Sequence, residues 1–502
     1  MKPIYRKPLL LVILTGVFAL QSAAFAAAEP VDGAAEKLNV ILIAIDDMGF
    51  NTTSPEGCTV PEITPNIDRL AKEGTLFTQG YIMTPICGPS RGAILSGRYP
   101  HKSGMMGHGI QPPENWEEPA DATPTITNFL KEKGYHLTAI LKQRRNQQFN
   151  SWDITYNEGP YGIAWGDRSP EAFKERTAHA IKSARQEGKP FFIYANPIDP
   201  HRPWPNDDWE DFELNRWNQP NKYPDPPRRY TPEEVYVPAH LPDLPGVRER
   251  LVPYYESLRR GDECVGAILE ALNESGLVEN TLVIFLSDHG MGTIGAKGML
   301  YHHGLRTPVI LRWPNQVPAG RIDAESVISA VDLYPTVVEA IGASQIENLE
   351  GRSFLQTALG KQERTERTYA YAAHNYYNNM GKDHPRTTFF PQRAIIDGDY
   401  LYIWNSYVLR PGGDRPFLAK GWIDVVEQYL TDDYPDLVAK VQRMTNKAAE
   451  EFFDLRKDPG CWVNRIDDPE YADIIDTYRK KLEKEMVETQ DPEAVLWPYF
   501  DR

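Results

Sequence analysis

Leu38-Asn39-Val40-Ile41-Leu42-Ile43-Ala44-Ile45 runs without a break into Asp46-Asp47-Met48-Gly49. The first part is short, apolar and β-branched, with no polar alternation. It therefore reads as a strand buried on both faces of a parallel sheet. The two acids at its end stand where open α/β sheets place their ligands, beyond the carboxyl end of a strand. Adjacent carboxylates repel, and a hard cation between them relieves the repulsion; an exposed Asp-Asp turn is the alternative.

The same design recurs outward from this stretch. A helix over 64–74 is marked by Thr64 as cap, Pro65 at its first position, an apolar stripe of Ile67, Leu70 and Ala71, and Gly74 as stop. Strands over 76–81, 136–141, 191–195, 281–286 and 309–314 alternate with helices over 125–133, 171–188, 248–272 and 332–338. This predicts an α/β fold, a mostly parallel central sheet covered by helices on both faces. Beyond about residue 359 the pattern changes. Residues 392–404 alternate like antiparallel strands around Asp397-Gly398-Asp399, and a charged helix follows over 468–488. We expect a catalytic domain over 36–359 and a smaller C-terminal α+β domain over 360–502, a short antiparallel sheet plus helix. Residues 204–230 are rich in Pro, Trp and Asp, and Trp204, Trp209 and Trp217 suggest a sugar-stacking rim or a solvated insertion.

Residues 1–26 read as an export signal: Lys2, Arg6 and Lys7, an apolar stretch over 9–20, and Ala24-Phe25-Ala26 as cleavage site. A retained anchor is the alternative. No later stretch reaches the ~20 apolar residues of a membrane span, so an exported periplasmic or secreted protein is expected. A net charge of −16 argues against nucleic acid as partner, since phosphate binding needs a basic face. It leaves room for a local basic pocket and an anionic glycan. The four cysteines are Cys58, Cys87, Cys264 and Cys461. If Cys87 is kept for chemistry, the other three form no disulfide framework, and a single bridge among them stays open.

Cys87 lies in Pro85-Ile86-Cys87-Gly88-Pro89-Ser90-Arg91-Gly92-Ala93-Ile94-Leu95-Ser96-Gly97. Pro85, Gly88 and Pro89 put it on a tight loop just ahead of a helix that begins near Ser90, where the helix N-terminus favours an anion. Arg91 can turn its planar fork to that anion; a buried thiol beside a structural arginine is the plainer alternative. The pattern Cys-X-Pro-Ser-Arg resembles the signature of type I sulfatases of the alkaline-phosphatase superfamily. Their cysteine is oxidised to formylglycine by a dedicated formylglycine-generating enzyme.

Further family segments follow in order. Lys142-Gln143-Arg144 stands where the family has Lys-Trp-His; Lys142 matches, while Arg144 replaces the histidine. The segment 196–204 resembles the one whose last histidine, here His201, meets the leaving group. The segment 297–308 resembles Lys-Gly-X-X-Tyr-Glu-X-Gly-X-Arg-X-Pro, with Lys297 as a sulfate-binding lysine and His302 in place of the glutamate. Segments 237–248 and 254–262, with Asp199-Pro200-His201-Arg202, resemble the heparan N-sulfatase (N-sulfoglucosamine sulfohydrolase) branch.

The resemblance implies one divalent cation, Ca²⁺ or alternatively Mg²⁺, held by Asp46, Asp47, Asp288, His289 and the modified Cys87; His289 alternatively bonds the sulfate. One hydroxyl of the hydrated formylglycine attacks sulfur, and loss of a proton from the other expels sulfate. Arg91, Lys142 and Lys297 hold the sulfate and His201 protonates the leaving atom. The family's usual base stands at Arg144, and arginine is a poor base, so His101 is an alternative. Further candidate substrate contacts are His101, His108, Arg144, Arg202 and His302. The implied function is hydrolysis of sulfate esters or sulfamates of sulfated saccharides. A phosphoester or phosphonate monoester hydrolase, a catalytically impaired glycan-binding homologue and a metal-stabilised interaction protein are the competing readings.

Overall fold

A computed structural model of the protein describes residues 37–105, 124–142, 151–156, 168–202, 204–205, 224–344, 346–378, 387–409 and 420–498. The larger sheet is built from β1 (Asn39–Ile45), β2 (Thr75–Tyr81), β3 (His136–Ile140), β4 (Ile154–Tyr156), β5 (Phe191–Ala195), β6 (Thr281–Ser287), β7 (Arg306–Arg312), β8 (Arg321–Asp323) and β9 (Ile328–Ser329). Its order is β4-β3-β5-β1-β6-β7-β2-β8, with β9 beside β2. β1 is central and every residue of it is buried, as its uninterrupted apolar run requires. It pairs in parallel with β5 and β6, and β3 and β4 extend the parallel array beyond β5. Only β7 runs against its neighbours, β6 and β2, so the sheet is mostly parallel, as expected.

Local chemistry sets the helix boundaries. Helix α1 (Pro65–Glu73) buries Ile67, Leu70 and Ala71 and ends before Gly74. Thr64 does not cap it: its hydroxyl donates to Asp68 Oδ1 at 2.9 Å. The cap comes from far along the chain, where Asp262 accepts from the backbone N–H of Asn66 at 3.1 Å and of Ile67 at 2.9 Å. Asp262 sits on the helix Pro245–Ser275, which packs along α1 and the helix Pro170–Gln186.

Helix α2 (Cys87–Ser96) begins at the cysteine itself, with extended Ile86 as its N-cap, so Cys87 is the first helical residue and not part of a loop. Pro89 is tolerated in that first turn because N–H groups there have no intrahelical acceptor to lose. Gly97, at φ 66°, ends the helix in the left-handed conformation that glycine adopts without a Cβ clash.

A separate antiparallel sheet, β10 (Ala370–Asn378), β11 (Thr387–Ile396), β12 (Tyr400–Trp404) and β13 (Glu450–Asp454), and the helix Ala472–Glu488 make up much of the C-terminal part. The turn joining β11 to β12 is fixed by Asp397, whose Oδ1 accepts from the N–H groups of Asp399 and Tyr400, each at 3.0 Å. All four cysteines are free and buried, so no bridge forms among Cys58, Cys264 and Cys461. Trp204 is no rim residue. It is buried, donates to the Pro200 carbonyl at 2.6 Å and packs edge-on against Tyr254 and Trp422. Trp209 and Trp217 lie outside the described residues, as does the segment 1–26. No described helix is long and apolar enough to cross a membrane.

Candidate active site

Because β1, β3, β5 and β6 are parallel, their carboxyl ends share one edge of the sheet, and each is followed within two residues by a polar side chain. β1 delivers Asp46 and Asp47, β3 Lys142, β5 Asn196 and then His201, and β6 Asp288 and His289. An isolated parallel bridge between Asp46 and Pro200 ties the segment after β5 to the end of β1. Asp47, Leu141 and Lys142 have φ values of 63°, 61° and 53°. Such left-handed backbone at non-glycine residues costs about 1–2 kcal/mol each, which marks two turns that exist to aim their side chains.

The first turn of α2 brings Cys87 into this edge. Its thiol donates to Asp46 Oδ1 at 3.6 Å, and Sγ lies 3.2 Å from His289 Nε2. Lys142 Nζ meets Asp46 Oδ2 at 2.6 Å, and Lys297 Nζ meets Asp47 Oδ1 at 2.6 Å. Arg91 does not offer its fork to an open anion site. It is buried, with Nη2 at 3.0 Å from Asp46 Oδ2 and 2.9 Å from Asp288 Oδ2, while Nη1 donates to Asn196 and to the Ala44 carbonyl. Ser90 donates to the Asp288 carbonyl at 2.5 Å, and Gly292 leaves room for Asp47, since a Cβ there would lie 2.8 Å from its Oδ2.

Two sets of donors converge: Asp46, Cys87, Asp288 and His289, and Asp46, Asp47, Cys87 and His201, one donor atom from each within 4.8 Å of the others. Two of the four donors in each set are carboxylate oxygens, and three buried carboxylates at one place suit a hard divalent cation. Burial alone would raise the Asp46 carboxyl, but Lys142, His201 and Arg91 hold it well below the usual carboxylate range. Asp47 is pushed up to about 6 by burial, against the pull of Lys297 and His289. Burial lowers His289, yet Asp288, Cys87 and Asp47 outweigh it and lift the imidazole to about 9. A cation taking His289 as ligand has to displace that proton. His201 lies well below its ordinary value because burial, Lys142 and Lys297 all disfavour a further positive charge. Its Nδ1 faces the Arg202 carbonyl at 2.6 Å, and a carbonyl only accepts, so Nδ1 carries the hydrogen.

The remaining sequence candidates are placed elsewhere. His101 turns to the C-terminal segment, with Nδ1 at 3.2 Å from Asp491 and Nε2 at 3.1 Å from Thr489 Oγ1, which gives it a packing role instead of a substrate contact. His302 is likewise buried, 3.1 Å from the Pro459 carbonyl and with its ring 4.7 Å from that of Phe50. Arg202 lies 4.4 Å over the Trp204 ring. His108 and Arg144 fall outside the described residues. Sequence reasoning missed Asn196, which accepts from Arg91 and donates to the Leu141 and Ile140 carbonyls at 3.0 and 3.1 Å, binding α2 to the Lys142 turn. It also missed Arg168, described below. Asn196 directly follows β5, as Asp46 follows β1, and that strand-end position was the available signal.

The sequence model of the sulfatase family matches residues 38–343. An ulvan-active sulfatase of Formosa agariphila is 26% identical, with 89% of this chain and 74% of that protein covered. The human N-sulphoglucosamine sulphohydrolase is also 26% identical, covering 90% of this chain and 91% of its own. Among solved structures, a protein in complex with its substrate D-glucosamine-2-N,6-O-disulfate superposes with a TM-score of 0.64 at 18% identity, covering 91% of this chain and 99% of its own. The phosphonate monoester hydrolase of Agrobacterium radiobacter shares the fold at TM-score 0.59 and 18% identity, covering 90% and 96%. With a match across most of the residues that build this sheet edge, the chain belongs to the sulfatase family and is a sulfuric ester hydrolase.

Proposed function

We propose that this is an exported sulfatase that hydrolyses sulfate esters or sulfamates of sulfated saccharides, using a formylglycine made from Cys87 and a divalent cation, Ca²⁺ first and Mg²⁺ second. The observation that carries the reading is the pair of lysines, Lys142 on Asp46 and Lys297 on Asp47, on carboxylates beside Cys87 at the start of α2. Three buried acids, Asp46, Asp47 and Asp288, are matched there by Arg91, Lys142 and Lys297. A divalent cation therefore leaves the site positive, and an anionic sulfate group offsets part of that excess.

Asp46, Asp47, Asp288 and His289 are the residues that would hold the cation. When both groups are in place, the hydrated formylglycine supplies a hydroxyl nucleophile for sulfur, and the cation acidifies that hydroxyl and balances charge on the sulfate oxygens. Arg91 keeps Asp46 and Asp288 ionised and aimed. Lys142 and Lys297 bind sulfate oxygens and stabilise charge as the sulfur–oxygen or sulfur–nitrogen bond opens. His201 has one ring nitrogen committed to the Arg202 carbonyl, so its other nitrogen serves the leaving atom. Burial and the charges of Lys142 and Lys297 depress His201; a sulfate bound between the two lysines offsets part of their charge and moves the imidazole toward its protonated, proton-donating form.

The same reading takes 1–26 as export signal, 36–359 as catalytic domain and 360–502 as the smaller domain, with a formylglycine-generating enzyme as maturation partner. Its test is protein co-expressed with such an enzyme and assayed for free sulfate by ion chromatography. We expect release from N-sulfoglucosamine first and O-sulfated hexoses second, the order that follows from the resemblance of segments 237–248 and 254–262 to the heparan N-sulfatase branch. Release from phosphate or phosphonate esters alone would transfer the chain to the phosphohydrolase reading.

A further inference from the structure

We propose that Arg168 is a positioning residue for His201, and that it does so as one member of a buried ion knot with Asp199, Arg260 and Ser257. The inference rests on His201 serving the leaving atom. Arg168 Nη1 pairs with Asp199 and also donates to the His201 carbonyl at 2.9 Å, while Nη2 donates to the Arg202 carbonyl at 3.2 Å. That Arg202 carbonyl is the acceptor of His201 Nδ1–H. One guanidinium thus holds both the backbone that carries the imidazole and the oxygen that fixes its tautomer. The fork geometry matters, since the two Nη atoms of one guanidinium reach all three acceptors at once.

Asp199 is in turn over-determined. Arg260 reaches its two oxygens at 2.5 and 3.0 Å, and Ser257 donates to Oδ1 at 2.6 Å. Both partners lie on the helix Pro245–Ser275, whose backbone approaches so closely that a Cβ on Gly261 would lie 2.8 Å from the Asp199 carbonyl. Arg168, Asp199, Ser257 and Arg260 are all 3% exposed or less. A knot this dry and this interlinked serves poorly as mere stability, because a buried ion pair often yields no more than an apolar replacement. Its geometric product is a fixed Nδ1–H, so Nε2 is the nitrogen that takes up a proton from solvent as the substrate binds and passes it to the leaving oxygen as the sulfur–oxygen bond breaks.

The test uses matured, metal-loaded enzyme with 4-nitrophenyl sulfate, whose leaving group needs no proton, and phenyl sulfate, whose leaving group does. His201→Ala is the reference and should lose about 10²-fold more kcat on phenyl sulfate than on the activated ester. Arg168→Lys keeps a charge for Asp199 but cannot fork; we expect roughly a tenfold excess loss on phenyl sulfate with KM little changed. Ser257→Ala, which leaves every charge paired and serves if Arg168→Lys fails to fold, should show the same bias at smaller size. In metal-free protein labelled with ¹⁵N-histidine, His201 should be the Nδ1–H tautomer in wild type. Equal losses on both esters in the Arg168 and Ser257 variants, with the bias intact in His201→Ala, would overturn the positioning role alone. No bias in His201→Ala would remove the leaving-group role and this inference with it, while sulfatase activity itself stood.

Discussion

Asp46 is where the charges of the site meet: Lys142 and Arg91 share its Oδ2, and the Cys87 thiol meets its Oδ1. An alanine there would strip a fully buried site of the partner of two cations. The milder Asp46→Asn is therefore the informative variant. It should abolish turnover, by on the order of 10³-fold or more, and destabilise the fold by about 3–5 kcal/mol, the usual penalty for an uncompensated buried charge. Kinetics and urea unfolding check both halves. Lys297→Ala should behave differently. Its partner Asp47 already titrates near 6, so it can take up a proton and limit the damage to the fold. We expect a loss of activity of about 10²-fold with a small change in Tm. An equal fall in Tm for the two variants would contradict this account. At this scale the sequence displayed the residue types and their strand-end positions. It could not display direction: Arg91 was read as an anion ligand, whereas its rotamer turns it inward to Asp46, Asp288 and Asn196, because three acceptors lie on that side.

Among the elements, α1 shows what local signals can and cannot convey. Its length, its apolar stripe and its Gly74 stop follow from spacing alone. Its cap does not, because Asp262 lies 195 residues beyond Ile67 and reaches the helix N-terminus only after the Pro245–Ser275 helix has docked. Asp262→Ala should therefore cost about 1–2 kcal/mol, at the strong end for an N-cap, whereas Thr64→Ala should cost less, since its hydroxyl serves Asp68. Chemical denaturation of the two single variants decides it, and a larger loss for Thr64→Ala would restore the local cap. The turn after β3 is a comparable case. Nothing in Leu141-Lys142 announces two successive left-handed residues; tertiary bonds from Asn196 impose them.

At the scale of the whole molecule, strand alternation sufficed for the parallel sheet and the C-terminal antiparallel sheet, while the strand order and the reversed β7 depend on pairings that no window of sequence contains. Burial across both parts of the chain also sets a pH response. His101 is lowered to about 4 by burial, against the opposing pull of Asp491, and burial likewise lowers His302 and His374 to about 3. These histidines are protonated more readily in the unfolded chain, near pH 6.5, so the unfolded state gains protons first as pH falls. Stability should therefore be lost from about pH 6.5 down toward 4, at up to about 1.4 kcal/mol per pH unit for each group. The loss is offset in part by Asp47, Glu56 and Asp262, whose carboxyls burial raises to about 6, 7 and 7 and which take up protons first in the folded state. A Tm that stays flat between pH 7 and 4.5 would contradict this. Finally, Cys87 is only 5% exposed, and the groups around it come from as far as His289, 202 residues later. A nucleophile sealed in this way has a deadline. On the function proposed above, conversion to formylglycine belongs to the time when β6, which leads into Asp288 and His289, is still undocked, so maturation would race against the closing of a slowly assembled parallel sheet. A synthetic peptide spanning 80–97 should be converted by the maturing enzyme, whereas folded thiol protein should stay unconverted until it is unfolded and allowed to fold again in the enzyme's presence.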